Sequence, residues 1–205
     1  MLFLHGLGDS GHGWASTISE IVPSYVKVIC PTAPVQPVTL NGGYQMTSWF
    51  DLLTLDAAGK EDAKGIKAAG EAIQKMIVDE ETKSGIPSNR ILVGGFSQGG
   101  GLAIHSSFRH EKPLAGILGF SCWLPLHKDY PAVVENSVNK EIPVFQCHGD
   151  KDVIVPYPWG QMSHDLIKTF NSTAEFKVYQ GMGHSSCNEE LKDAKDFIKK
   201  CLPAV

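Results

Sequence analysis

No apolar run in this 205-residue chain approaches the length of a membrane span, and the opening Met1-Leu2-Phe3-Leu4 is far too short for a secretory signal core. Cysteine is sparse: Cys30, Cys122, Cys147, Cys187 and Cys201 form an odd, scattered set without a C-x-x-C pair. That pattern argues against a disulfide framework and suits a reducing, cytoplasmic compartment. A basic stripe is also missing. With 18 Lys and Arg against 22 Asp and Glu, the net charge is -4, which argues against a nucleic-acid partner. There is no G-x-x-x-x-G-K-[ST] loop or G-x-G-x-x-G turn to carry a nucleotide, and no H-E-x-x-H to carry zinc. Metal sites built from His5, Asp9 and His12, or from His148, Asp150 and Asp152, lack supporting ligand spacing, so neither a metal nor a cofactor is expected.

With 42% hydrophobic residues and no linker, charge block or repeat, residues 1–205 read as one domain with a full core. Apolar runs at Met1 to Leu4, Val26 to Cys30, Ile91 to Phe96, Ala115 to Phe120, Pro143 to Cys147 and Phe176 to Tyr179 are predicted strands. Ile66, Ala69, Ile73 and Ile77 recur at helical spacing and end near Gly85; Leu191, Ala194, Ile198 and Cys201 do the same near the C-terminus. Glu189 and Glu190 open that last helix and Lys199 and Lys200 close it, which matches the helix dipole. Strands alternating with helices predict an α/β fold, a mostly parallel sheet with helices on both faces. Residues 31–58 show no sustained period and read as a long loop.

The chemistry centres on Gly95-Phe96-Ser97-Gln98-Gly99, which follows the run Ile91-Leu92-Val93 and precedes a small-residue helix pattern. A serine on a sharp strand-to-helix turn presents its hydroxyl above the sheet, and side chains at the flanking glycines would crowd the bend. A hydroxyl is a poor nucleophile at neutral pH, so it needs an imidazole base and a carboxylate to orient that base. His184, in Gly183-His184-Ser185 after the last strand, is the expected base. Asp150 and Asp152 compete for the acid: Asp150 fits a turn role after Gly149, and Asp152, beside Val153-Ile154-Val155, is assigned to the triad. The backbone N–H of Gln98 and that of Leu7, in His5-Gly6-Leu7-Gly8, are the expected oxyanion donors. Gly8-Asp9-Ser10-Gly11 matches a trypsin-like serine signature, but Ser10 has almost no chain before it to supply that fold's upstream His and Asp. His105, His110, His127 and His164 read as surface or helix-face residues.

Taken together, Phe3-Leu4-His5-Gly6-Leu7-Gly8-Asp9, Gly11-His12-Gly13-Trp14, Pro31-Thr32-Ala33-Pro34, Ser48-Trp49-Phe50-Asp51, Gly94-Gly95-Phe96-Ser97-Gln98-Gly99-Gly100, Ser121-Cys122-Trp123-Leu124-Pro125, Gln146-Cys147-His148-Gly149-Asp150 and Gly183-His184-Ser185-Ser186-Cys187 resemble the acyl-protein thioesterase and lysophospholipase family of α/β-hydrolases, across nearly the whole chain. The resemblance implies the triad Ser97, Asp152 and His184, oxyanion donors Leu7 and Gln98, and no cofactor. It implies S-acylated proteins and lysophospholipids as substrates, and it allows peripheral membrane contact and a weak homodimer. Relatives begin before the His-Gly-Leu-Gly strand, so the N-terminal strand region is expected to be truncated.

An acyl chain needs an apolar path. Within residues 31–58, Leu40, Met46, Trp49, Phe50, Leu52, Leu53 and Leu55 supply more apolar surface than a loop requires. Of these, Leu40, Trp49, Phe50, Leu53 and Leu55, completed by Trp123 and Ile154, are expected to form a channel to Ser97. The competing function classes are a non-catalytic acyl-binding module on the same fold and a serine peptidase.

Overall fold

A computed structural model describes residues 1–204. Five parallel strands form the central sheet: β1 (Leu2–Leu4), β4 (Leu92–Phe96), β5 (Gly116–Phe120), β6 (Val144–Gly149) and β7 (Glu175–Tyr179), adjacent in the order β1-β4-β5-β6-β7. β2 (Val35–Val38) and β3 (Tyr44–Thr47) make a separate antiparallel hairpin. The helices are α1 (Gly11–Ile21), α2 (Ala63–Ser84), α3 (Gln98–Phe108), α4 (Tyr157–Lys168) and α5 (Asn188–Cys201).

Alternation along the strands divides the core. Phe3, Leu92, Leu118, Phe120, Phe145 and Cys147 face α1 and α5, packing on Trp14, Ile18, Ala194, Phe197 and Ile198. Leu2, Leu4, Val93, Ile117 and Val144 face the other way, toward Ile66, Ile73 and Ile77 of α2, the apolar residues of α3 and Ile167 of α4. Both faces of the parallel sheet are therefore covered, as its near-continuous apolar strands require.

Helix ends follow local chemistry. Asp62 caps α2 by accepting the Gly65 N–H at 2.9 Å, and Gly85 stops it in the left-handed region with φ 68°. At the start of α5 the Cys187 sulfur accepts the Glu190 N–H. Glu189 is exposed to solvent there, whereas Glu190 is fully buried with neither carboxylate oxygen hydrogen-bonded.

Three expectations change. Residues 26–30 are not a strand: they touch the sheet through the single bridge Leu2 to Ile29, where Phe3 and Ile29 donate to Ile29 and Met1 carbonyls at 2.9 Å. Residues 31–58 are not all loop, since β2 and β3 pair from Val35 with Thr47 to Val38 with Tyr44. Pro37 within β2 removes a donor, a residue type that confines a strand to an edge and masks it in sequence. His105 and His110 are buried rather than superficial. His105 packs against Gly70 of α2, and burial pushes its imidazole down to about 3, so it is uncharged at neutral pH.

Register brings the sheet's carboxyl ends level: Leu4 pairs with Gly95, Phe96 with Phe120, Phe120 with Cys147, and Gly149 with Tyr179. The loops after β1, β4, β6 and β7 consequently leave the sheet along one rim, where ligands of open α/β sheets bind.

Candidate active site

Ser97 sits between β4 and α3 with φ 53° and ψ −121°, a backbone conformation uncommon for a residue with a side chain. Its N–H donates to Phe120 O at 2.8 Å and its carbonyl accepts the Gly101 N–H at 3.0 Å, so both sides of the bend are held. The flanking glycines are steric necessities. A Cβ at Gly95 would lie 2.5 Å from Gly99 backbone, and one at Gly99 would lie 2.3 Å from Leu4 O.

His184 Nε2 lies 3.0 Å from Ser97 Oγ, and His184 Nδ1 lies 2.7 Å from Asp152 Oδ2. A carboxylate only accepts, so Nδ1 carries the proton and Nε2 is left as an acceptor facing the serine hydroxyl. The ring rests against Phe96, centroids 4.7 Å apart. Asp152 Oδ1 accepts the Ile154 and Val155 N–H groups, each at 2.9 Å. Burial alone would raise the Asp152 carboxyl, but the donors around it, His148, His184 and the Val155 N–H, outweigh that and hold it well below the usual carboxylate range.

Asp150 does different work. Its Oδ1 accepts the Gly181 N–H at 2.6 Å, its own N–H donates to Tyr179 O, and Lys151 N–H donates to Met182 O at 3.0 Å. The loop carrying Asp152 is thereby laced to the loop carrying His184. The two backbones approach so closely that a Cβ at Gly149 would lie 2.0 Å from Met182 O.

Gly6, Leu7, Ser97, Gln98 and His184 line one cavity of about 290 Å³. Among the described residues, neither the Leu7 N–H nor the Gln98 N–H has a hydrogen-bond partner, and the Gln98 group opens α3, where the helix dipole favours negative charge. His5 lies beneath this loop, fully buried; its Nε2 accepts the Ala33 N–H at 3.0 Å, so its Nδ1 donates to Gly6 O at 2.7 Å.

Leu40, Leu55, Trp123 and Ile154 also line this cavity. A second cavity of about 370 Å³ lies against α4, lined by Phe50, Leu53 and Leu55 together with Trp123, Trp159, Met162 and Leu166. Leu52, Leu55 and Trp123 border both. Trp49 lines neither: it is buried, tilted against His5 with ring centroids 5.2 Å apart, and its Nε1 donates to His5 O at 2.8 Å. Its role is to anchor the covering segment. Sequence reasoning missed the α4 residues of the second cavity; the helical spacing of Trp159, Met162 and Leu166 was the available signal.

The chain matches, over residues 1–202, the family model described as phospholipase/carboxylesterase. The chain belongs to that family. It is similar to acyl-protein thioesterase 1 homolog 1 of Dictyostelium discoideum, 40% identical over 99% of this chain and 90% of that protein. It is also similar to acyl-protein thioesterase 1 of Mycosarcoma maydis, 40% identical over all of this chain and 91% of that protein. Among solved structures it resembles Arabidopsis thaliana SOBER1, with TM-score 0.89 and 32% identity over 98% of this chain and 97% of that one. It resembles Zea mays acyl-protein thioesterase 2 as well, with TM-score 0.89 and 31% identity over 98% of this chain and 92% of that one. The fold is that of an α/β-hydrolase, and the protein is an esterase-type enzyme. Among the described residues, no group of His, Cys, Asp and Glu is placed to hold a metal ion, and no helix is long and apolar enough to cross a membrane.

Proposed function

We propose that this protein hydrolyses long-chain acyl thioesters on S-acylated proteins, with acyl esters such as lysophospholipids as further substrates, through an acyl-enzyme on Ser97. The observation that carries the reading is the 3.0 Å contact between Ser97 Oγ and His184 Nε2 in a cavity whose walls continue into apolar space. His184 takes the hydroxyl proton as Ser97 Oγ attacks the acyl carbonyl. The carbonyl oxygen becomes anionic and receives the N–H groups of Gln98 and Leu7, each such donor lowering the barrier by about 2.7 to 4 kcal/mol. Asp152 steadies the imidazolium, which returns its proton to the leaving sulfur or oxygen. The same imidazole then deprotonates water, which releases the fatty acid and restores Ser97.

The acyl chain lies past Leu52, Leu55 and Trp123 toward α4, each buried methylene contributing about 0.8 kcal/mol. Leu40, Leu55 and Ile154 line the mouth yet stay more than a third exposed, an apolar rim that suits a substrate presented at a lipid surface. All five cysteines are free, in keeping with a reducing cytoplasm.

The test pairs labelling with turnover. A fluorophosphonate should label Ser97 in the native protein and not in His184→Ala, and a palmitoyl-thioester peptide should be cleaved faster than an acetyl one. Absence of labelling overturns the catalytic reading; equal rates on both chain lengths overturn the channel.

A further inference from the structure

We propose that His148, outside the triad, is a positioning residue for the reaction, setting the angle at which Asp152 meets His184. The inference rests on the reading of Ser97, His184 and Asp152 given above. His148 lies on β6 with 1% of its surface exposed. Its Nε2 is 2.8 Å from Val155 O and 3.4 Å from Asp152 Oδ2. Both are acceptors, so Nε2 carries a proton, donated to Val155 O at one end of the turn and lying close to Asp152 Oδ2 at the other.

The torsion that turns a carboxylate is broad, so donors alone decide its plane. The two donors on Asp152 Oδ1, Ile154 and Val155, belong to the same turn as Asp152 and move with it. His148 is fixed in the sheet. It refers the carboxylate to the frame that also carries Ser97, through β6, β5 and β4. The ring has a built seat: Tyr157 and Phe176 stand with centroids 6.4 Å away, and a Cβ on Gly160 of α4 would lie 2.3 Å from His148 Nδ1. The titratable groups facing this ring are Asp152, with His184 behind it, and Tyr157 of α4. A merely space-filling ring would not need its N–H hydrogen-bonded to Val155 O with Asp152 Oδ2 3.4 Å from the same nitrogen.

Kinetics of His148→Leu and His148→Gln on one long-chain thioester test this. Leucine removes the donor and should lower kcat up to about 100-fold, the scale of a misplacement near 1 Å, with KM unchanged. The acid limb of kcat/KM should also move to higher pH, because an unshared carboxylate holds the imidazolium more firmly. Glutamine, whose amide can place an N–H near the same point, should restore most of kcat and return the limb. If the leucine variant does not fold, His148→Asn, whose shorter amide stops short of Asp152, takes its place with the same expectation. Equal kcat in the donor-bearing and donor-lacking variants, or an unmoved acid limb, overturns the proposal. Labelling of native Ser97 by a fluorophosphonate keeps the two readings apart: if it labels and the donor-lacking variant turns over normally, only the role of His148 fails; if it does not label, the triad itself fails.

Discussion

The side chain of Gln98, the residue after the candidate nucleophile, accepts the backbone N–H of Trp49 through Oε1 at 3.0 Å. Its Nε2 donates to Phe50 O at 2.8 Å and to Ser48 Oγ at 3.0 Å. One residue thus contributes a backbone N–H to the cavity and a side chain to the segment that covers it, coupling Ser97 to the wall of the proposed acyl path.

Replacing Gln98 with alanine keeps the backbone donor and removes the anchor. The Trp49 N–H is then buried without a partner, while the Phe50 carbonyl keeps only the Ser48 hydroxyl, at a cost of about 1–3 kcal/mol. Urea unfolding should read that loss. Turnover of a short ester should change less than turnover of a long-chain thioester, because the cover is disturbed more than the oxyanion donor.

Asp152→Asn should leave KM close to its native value and lower kcat on the order of 10⁴-fold, since an amide in place of the carboxylate favours the wrong imidazole tautomer. Steady-state kinetics at neutral pH would check it. A loss below about tenfold would mean that Asp152 does not orient His184.

Leu166 lines the cavity against α4, away from the Ser97 cavity. Leu166→Trp should shorten the available path and lower kcat/KM for palmitoyl substrates, about fourfold for every methylene excluded, while acetyl and butyryl esters keep their rates. A chain-length series of one ester type would measure this directly.

Burial and the neighbouring Asp193 push the Glu190 carboxyl up to about 8 from 4.5. In the unfolded chain this group ionises at about 4.5, so between that pH and about 8 the unfolded state binds fewer protons than the folded one. Its contribution to stability therefore falls as pH rises through this window. Glu190→Gln should raise Tm relative to the native protein at about pH 7.5, and the difference should shrink toward zero at about pH 4.5. Thermal melts at the two pH values decide it.

Much of the site was legible because its signals are local. Gly95 to Gly99 carry the bend in their own residue types, and the loops with Leu7, Asp152 and His184 each follow an apolar run. Other features were hidden. The β2–β3 hairpin contains Pro37, leaves Val35 and Tyr44 exposed and fully buries only Val38, too little for a readable apolar alternation. His105 and Glu190 sit at helical positions that are polar by type, and nothing in the residues announces that packing encloses them. Trp49 read as channel lining because it is large and apolar, yet its indole N–H is committed to His5 O.

From the residues alone came the α/β alternation, the strained serine turn and the short list of groups able to serve it, since backbone sterics and side-chain chemistry act over a few positions. Tertiary structure alone brought Asp152 against His184, joined the walls of the two cavities and set His148 beside the acid. Those choices depend on strand register and on loops that meet across 32 and 87 residues of chain. Contacts at such separation are set by packing of the whole sheet, which no local pattern encodes.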